Sequence, residues 1–133
     1  MKIRNLIAVL ALALALTSCS HNLREEFDTS LSKYNDLLSR NELGAANRYA
    51  ANSIREEFIN RAAALKDERI VDYKIINIRY AEEKHRASVD VEISYYNLYH
   101  NKVKSLQDIE EWTYSEENGA KGWRLTSVLP EFK

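Results

Sequence analysis

Hydrophobic positions along this chain change their spacing twice. Residues 6–16 form an unbroken run of Leu, Ile, Val and Ala, 11 residues long, behind the cations Lys2 and Arg4. Further on, Leu23, Phe27, Leu31, Tyr34 and Leu38 recur at spacings of four, four, three and four, which places them on one face of a helix. Glu25, Glu26 and Asp28 occupy its opening turns, where the helix dipole favours anions. Asn22 is placed as the N-cap, with Glu25 three residues on. Asn41 is expected to break the helix. A second helix is predicted from about Glu42 to Ala51, with Leu43, Ala46 and Tyr49 or Ala50 inward. Ser53-Ile54-Arg55-Glu56 has the capping-box pattern. It predicts a third helix with Ile54, Phe58, Ala62 and Leu65 on one face, ending near Lys66.

From Ile70 the period becomes two. Val71, Tyr73 and Ile75 share one phase, and Ile76, Ile78 and Tyr80 continue out of phase. A shift of one residue inside a strand predicts a β-bulge. Ala81-Glu82-Glu83-Lys84 is a polar turn. Ala87, Val89, Val91, Ile93 and Tyr95 then alternate with Arg86, Ser88, Asp90, Glu92 and Ser94, the pattern of a strand with one core face and one wet face. Tyr96 to Lys102 is expected as an aromatic, polar turn region, and Val103 to Tyr114 as a third strand. Asn118-Gly119 falls in a loop, Trp123 to Leu129 is the last strand, and Pro130 ends it. Three helices followed by a four-strand meander imply an α+β domain, with helices on one face of an antiparallel sheet.

The apolar run at 6–16 is roughly 16 Å long as a helix, against a hydrocarbon core of about 30 Å. That is too short to span a membrane unaided but suits the apolar region of a signal peptide. A buried core helix is the alternative, and the run lacks the polar face such a helix would show. The residues after the run, Leu16-Thr17-Ser18-Cys19, resemble the bacterial lipobox: a branched apolar residue, two small residues, then Cys. The resemblance implies cleavage between Ser18 and Cys19, with a diacylglyceryl thioether on the Cys19 sulfur and often an acyl group on its new amine. The thiolate is the nucleophile such a transfer needs. An ordinary secretory signal with an incidental cysteine is the rival reading. Cys19 is the only cysteine, so an intrachain disulfide is impossible. In Gram-negative lipoproteins an Asp after the cysteine commonly retains the protein at the inner membrane. Ser20 stands there instead, which points to the outer membrane and its periplasmic face. The expected organisation is therefore a signal peptide at 1–18, a lipidated tether at 19–22 and an α+β domain at 23–133.

The order of elements, the bulge, and the closing pattern Trp112…Gly122-Trp123-Arg124-Leu125 resemble small members of the NTF2-like superfamily. In that fold a strongly curved sheet wraps three N-terminal helices into a cone with an open mouth. A cystatin-type helix-on-sheet is the neighbouring alternative. Many NTF2-like enzymes insert a short hairpin before the last helix to wall the pocket. Here only Asn52 separates the second helix from Ser53, leaving no room for it. The resemblance also implies pairing through the sheet, so a homodimer or an envelope protein partner is expected.

Cleavage after residue 18 leaves 115 residues, with 17 Lys and Arg against 20 Asp and Glu, a net charge of −3. Mild acidity argues against a nucleic-acid binder, which normally needs a basic stripe. No zinc, calcium-loop, P-loop, dinucleotide or nucleophile-elbow motif is present, so no metal, cofactor or catalytic residue is assigned. Among the strand aspartates, Asp72 and Asp90 fall on the polar phase of their strands. Asp108, among Gln107, Glu110 and Glu111, is expected to be solvated as well. His21 and His85 lie beside a tether and a turn, and His100 in a tyrosine-rich loop. The remaining clue is the crowd of aromatics in the sheet half. Either they pack the core, or Tyr73, Tyr95, Trp112 and Trp123 line the cone mouth and hold a small apolar ligand. The expected function is a lipid-anchored, non-enzymatic binding or assembly module of the cell envelope. Two alternatives stand beside it: a carrier for a small hydrophobic ligand, and a small NTF2-like isomerase, dehydratase or hydrolase.

Overall fold

The computed structural model describes residues 22–133. The expected signal peptide, with its expected cleavage at Ser18 and lipidation at Cys19, lies outside the described residues. Helix α1 is described over 22–39 and buries Phe27, Leu31, Tyr34, Asn35 and Leu38. From Phe27 on, the apolar stripe is the one the sequence spacing predicts, with Leu23 only half-buried and Asn35 an added polar member. The helix stops at Asn41, whose φ of 58° reverses the chain. Its side chain then bridges to the sheet, accepting from Ile70 N and donating to Ile70 O, both at 2.9 Å.

The second helical segment is shorter than the pattern predicts. Helix α2 covers Leu43–Ala46 and passes directly into a 3-10 turn at Asn47–Tyr49. The chain then extends to meet the sheet: Ala50 bridges Leu125 in parallel, and Ala51 N donates to Leu125 O at 2.8 Å. This contact displaces the expected capping box. Ser53 lies inside a second 3-10 turn, Asn52–Ile54, and helix α3 begins only at Arg55–Ala64, without a side-chain cap. Phe58 is its fully buried contribution.

Four strands follow, β1 (Glu68–Ala81), β2 (Arg86–Asn97), β3 (His100–Glu117) and β4 (Ala120–Leu125), in an antiparallel sheet of order β1-β2-β3-β4. β1 carries register shifts at Ile70/Asp72 and Ile75/Asn77. The second shift is the bulge expected from the phase change. The first was not expected. It turns Val71 outward, 45% exposed, and buries Ile70 in its place. Ile76, expected in phase with Ile78 and Tyr80, is the extra residue of the second bulge and is exposed. β2 alternates as expected, with Ala87, Val89, Val91, Ile93 and Tyr95 all buried. The strand runs on to Asn97, so the turn is tighter than expected, two residues at Leu98 and Tyr99. Asn118 and Gly119 both have positive φ, 53° and 80°, as a two-residue hairpin turn requires. The last strand ends at Leu125 rather than Leu129. Beyond it Leu129 and Phe132 still pack into the core without strand pairing.

The helices lie against one face of the sheet, and the aromatic core sits between. Phe27 and Tyr34 of α1 meet the indole of Trp112 edge-on, at centroid distances of 6.2 and 5.5 Å. The segment at Ala50–Ala51 covers the Leu125 end of the free edge of β4. β1 forms the other edge, where its two bulges blunt it against pairing with another chain.

Candidate functional site

The inner face of β3 carries an unexpected pair of acids under α1. Trp112 is buried, Leu106 and Tyr114 pack against the core, and Gln107, Ile109 and Glu111 point away. Alternation then turns Asp108 and Glu110 inward, opposite Val91 and Val89 of β2. Asp108 is half-buried rather than solvated, which corrects the expectation from the sequence. Glu110 has no accessible surface at all, 0%.

Two side chains hold Glu110 in place. Glu110 Oε1 accepts from Asn35 Nδ2 and from Trp112 Nε1, each at 3.1 Å. Asn35 Nδ2 also reaches back one helical turn to Leu31 O at 3.1 Å. Both donors converge on one oxygen, while Glu110 Oε2 and Asn35 Oδ1 have no partner. A neutral carboxylic acid fits this pattern, with Oε1 as its carbonyl and Oε2 carrying the proton. Burial, and then the Asp108 charge, raise the Glu110 carboxyl to about 8, against the lowering effect of the Asn35 and Trp112 hydrogen bonds. Burial raises Asp108 to about 6, partly offset by the backbone N–H of Ile109. Tyr34, sealed beside them, is pushed well above the ordinary phenol range by burial and then by the charges of Glu110 and Asp108.

Chemically, this is a protonated acid held inside a closed space. A general acid or base must come within hydrogen-bond reach of its substrate, and Glu110 has no surface through which to do so. Asp108, one inward position away, keeps some access to solvent. No group of three or more His, Cys, Asp or Glu among the described residues is arranged to hold a metal ion.

The four aromatics singled out from the sequence do not converge on one place. Tyr73 is half-buried on β1, and its hydroxyl donates to Asp36 Oδ1 at 2.7 Å. Burial, and then that hydrogen bond, push its phenol up to about 12. Tyr95 is buried near the other end of β2, its ring edge-on to Phe132 at 5.0 Å and its hydroxyl donating to the Lys133 carbonyl. Trp112 is 1% exposed at the centre. Trp123 is 3% exposed, with Nε1 donating to Leu23 O at 3.0 Å and its ring against Phe27 at 5.0 Å. Three of the four therefore pack within the core, and only Tyr73 reaches towards solvent. Of the other strand aspartates, Asp90 lies on the outer face as expected and pairs with both terminal nitrogens of Arg79, at 2.7 and 2.8 Å.

Asn35 and Glu110 were not among the candidates read from the sequence. A signal for each was present. Asn35 is four residues from Leu31 and adjacent to Tyr34, inside the buried stripe. Leu106, Trp112 and Tyr114 set the phase of β3, and the same phase carries Asp108 and Glu110 inward.

No protein family matches the chain by sequence, and no curated protein does. Solved structures do resemble its fold. TraE, in complex with 2-(2-furyl)isonicotinic acid, superposes with a TM-score of 0.55 at 12% identity, over 77% of this chain and 92% of that one. TraE with 2-chloroisonicotinic acid gives 0.51 at 13% identity, over 73% and 87%. A SEC-C motif containing protein from Rhodopseudomonas palustris gives 0.53 at 8% identity, over 71% and 72%. At these identities the likeness is one of fold: a small α+β domain with helices on an antiparallel sheet.

Proposed function

We propose that this protein is a lipid-anchored cell-envelope module with a non-enzymatic binding or assembly role, held through Cys19 at the periplasmic face of the outer membrane. Its domain is read as a filled variant of the NTF2-like cone. The observation that carries the non-enzymatic reading is the closure of Glu110. The most strongly perturbed carboxyl of the domain meets only Asn35 and Trp112 and has no route to a substrate. The anchor rests on Leu16-Thr17-Ser18-Cys19 and the apolar run before it.

A ligand carrier is the second reading, favoured by the partial exposure of Asp108 and Tyr73. TraE holds isonicotinic acids in its solved complexes. Here an anionic ligand would meet the partly exposed Asp108 carboxylate, so a carried molecule is expected to be neutral or cationic.

Native mass spectrometry of the full-length protein, extracted gently from its own membrane, tests both readings. The expected species begins at Cys19 with added acyl mass and holds a protein partner or a second copy. A retained small molecule would favour the carrier. A chain that keeps residues 1–18 unmodified would overturn the anchor.

A further inference from the structure

Several polar side chains on the outer face of the sheet pair with one another, while Val71, Ile76 and Ile109 stand exposed there. Arg79 holds Asp90, Ser88 Oγ donates to Glu111 at 2.9 Å, and Gln107 donates to Glu92 at 3.1 Å. The β2–β3 hairpin tip is different. Residues 98–105 are exposed without interruption, and they include Leu98 at 45%, Tyr99 at 77% and Val103 at 64%. No acid occurs from Ile93 to Gln107, while Lys102 and Lys104 flank Val103. A cationic, apolar projection thus stands out from a domain that is net acidic.

The tip is also held in place. Leu98 N donates to Asp67 O at 2.8 Å, tying the turn to the α3–β1 connection. Asn97 Oδ1 accepts from Tyr99 N at 2.9 Å and closes the turn locally. Fixing the backbone in advance lowers the entropy lost on binding. Aromatic and aliphatic anchors on such a rigid projection have the character of interface hot spots.

Its place in the fold decides which occupant it faces. α1 starts at the opposite end of the sheet, where Leu23 O meets Trp123 and Arg24 lies over the Tyr80 ring at 4.6 Å. Tyr80 pairs with Ala87 at the start of β2, and the tip follows the end of β2. At about 3.3 Å per residue, the two ends are separated by roughly 30 Å of strand. The described chain thus enters the domain at the end opposite the tip, so a short tether from Cys19 leaves the tip on the far side of the domain from its attachment.

We propose that the β2–β3 hairpin tip is a docking surface for an envelope protein that offers an apolar recess rimmed by acidic side chains. The proposal rests on the binding or assembly reading above and names the surface that performs it. Leu98, Tyr99 and Val103 enter the recess, and Lys102 and Lys104 meet the acidic rim. Because the cations are exposed, the interaction weakens as salt rises.

The test places a photo-crosslinking residue at Tyr99, Ile109 or Lys121 of the full-length protein in its own cells. The mass at Cys19 is read from the same samples. The tip position is expected to give one discrete adduct with another protein. That protein, once purified, is expected to bind the full chain in a salt-sensitive manner. Leu98→Ser with Tyr99→Ser, and separately Lys102→Glu with Lys104→Glu, are expected to weaken binding on the order of 30-fold or more. All four positions are exposed, so the fold tolerates the changes, and circular dichroism checks this. An adduct at Tyr99 only with lipid or with a second copy would overturn the proposal. So would binding of the purified protein that ignores both double variants. Adducts from Ile109 or Lys121 alone would remove the tip while leaving the assembly reading standing. No protein adduct from any of the three positions would remove both.

Discussion

The sealed acid on β3 makes stability depend on pH in a definite direction. Glu110 has an ordinary carboxyl value of 4.5 and lies at about 8 in the folded chain. Between those values the folded protein keeps a proton that the unfolded chain has lost. The folded pKa is the raised one, so the contribution is fully present below about pH 4.5 and is lost as pH rises through about 8. At about 1.4 kcal/mol per tenfold change in proton affinity, ionising Glu110 in place costs on the order of 5 kcal/mol. That is a large share of the 5–15 kcal/mol typical of a domain. Urea unfolding followed by Trp fluorescence is therefore expected to show stability falling by about 4 kcal/mol between about pH 5 and 9. Asp108, raised from 3.8 to about 6, acts in the same direction over the more acidic part of that range. Glu110→Gln removes the titrating proton while keeping an acceptor for the Asn35 and Trp112 N–H groups. The variant is expected to lose most of the slope and to exceed the parent in stability above about pH 8. Asp90, held below its ordinary value by its hydrogen bonds to Arg79, is present in both proteins and cancels in their difference. A parent stability that stays flat or rises from pH 5 to 9 would refute the reasoning, as would an unchanged slope in Glu110→Gln.

Three further outcomes are expected. Trp112→Ala removes the central indole and a donor to Glu110, and it is expected to cost about 3–5 kcal/mol by equilibrium unfolding, close to the loss of the fold. Asn41→Ala removes both hydrogen bonds to Ile70 and replaces Asn, which tolerates positive φ, with Ala, which adopts it at greater cost. A loss of about 1–3 kcal/mol is expected, with hydrogen exchange at the Ile70 amide rising first. Cys19→Ala is expected to abolish labelling by a lipid precursor and to leave residues 1–18 attached, as mass spectrometry would report.

Local pattern determined much of this domain in advance. The stripe from Leu23 to Leu38 and the alternation from Ala87 to Tyr95 each bury a single face, so period alone reveals them. Asn118-Gly119 was legible because few residue pairs accept two positive φ values in succession. The lipobox reading likewise needs only neighbouring residues. Tertiary contact decided the rest. Ser53 has the residues of a cap, yet the bonds between Ala50–Ala51 and β4 hold the chain so that Ser53 falls inside a 3-10 turn. Val71 has the phase of a core residue, yet a bulge hands that place to Ile70. On β3 the polarity of the pattern is inverted, with Ile109 outward and Asp108 and Glu110 inward. A local reading assigns carboxylates to water, because their hydration is lost on burial. Only the packed structure supplies what offsets that loss: donors from Asn35, 75 residues away, and from Trp112, in a space closed enough to keep the acid neutral.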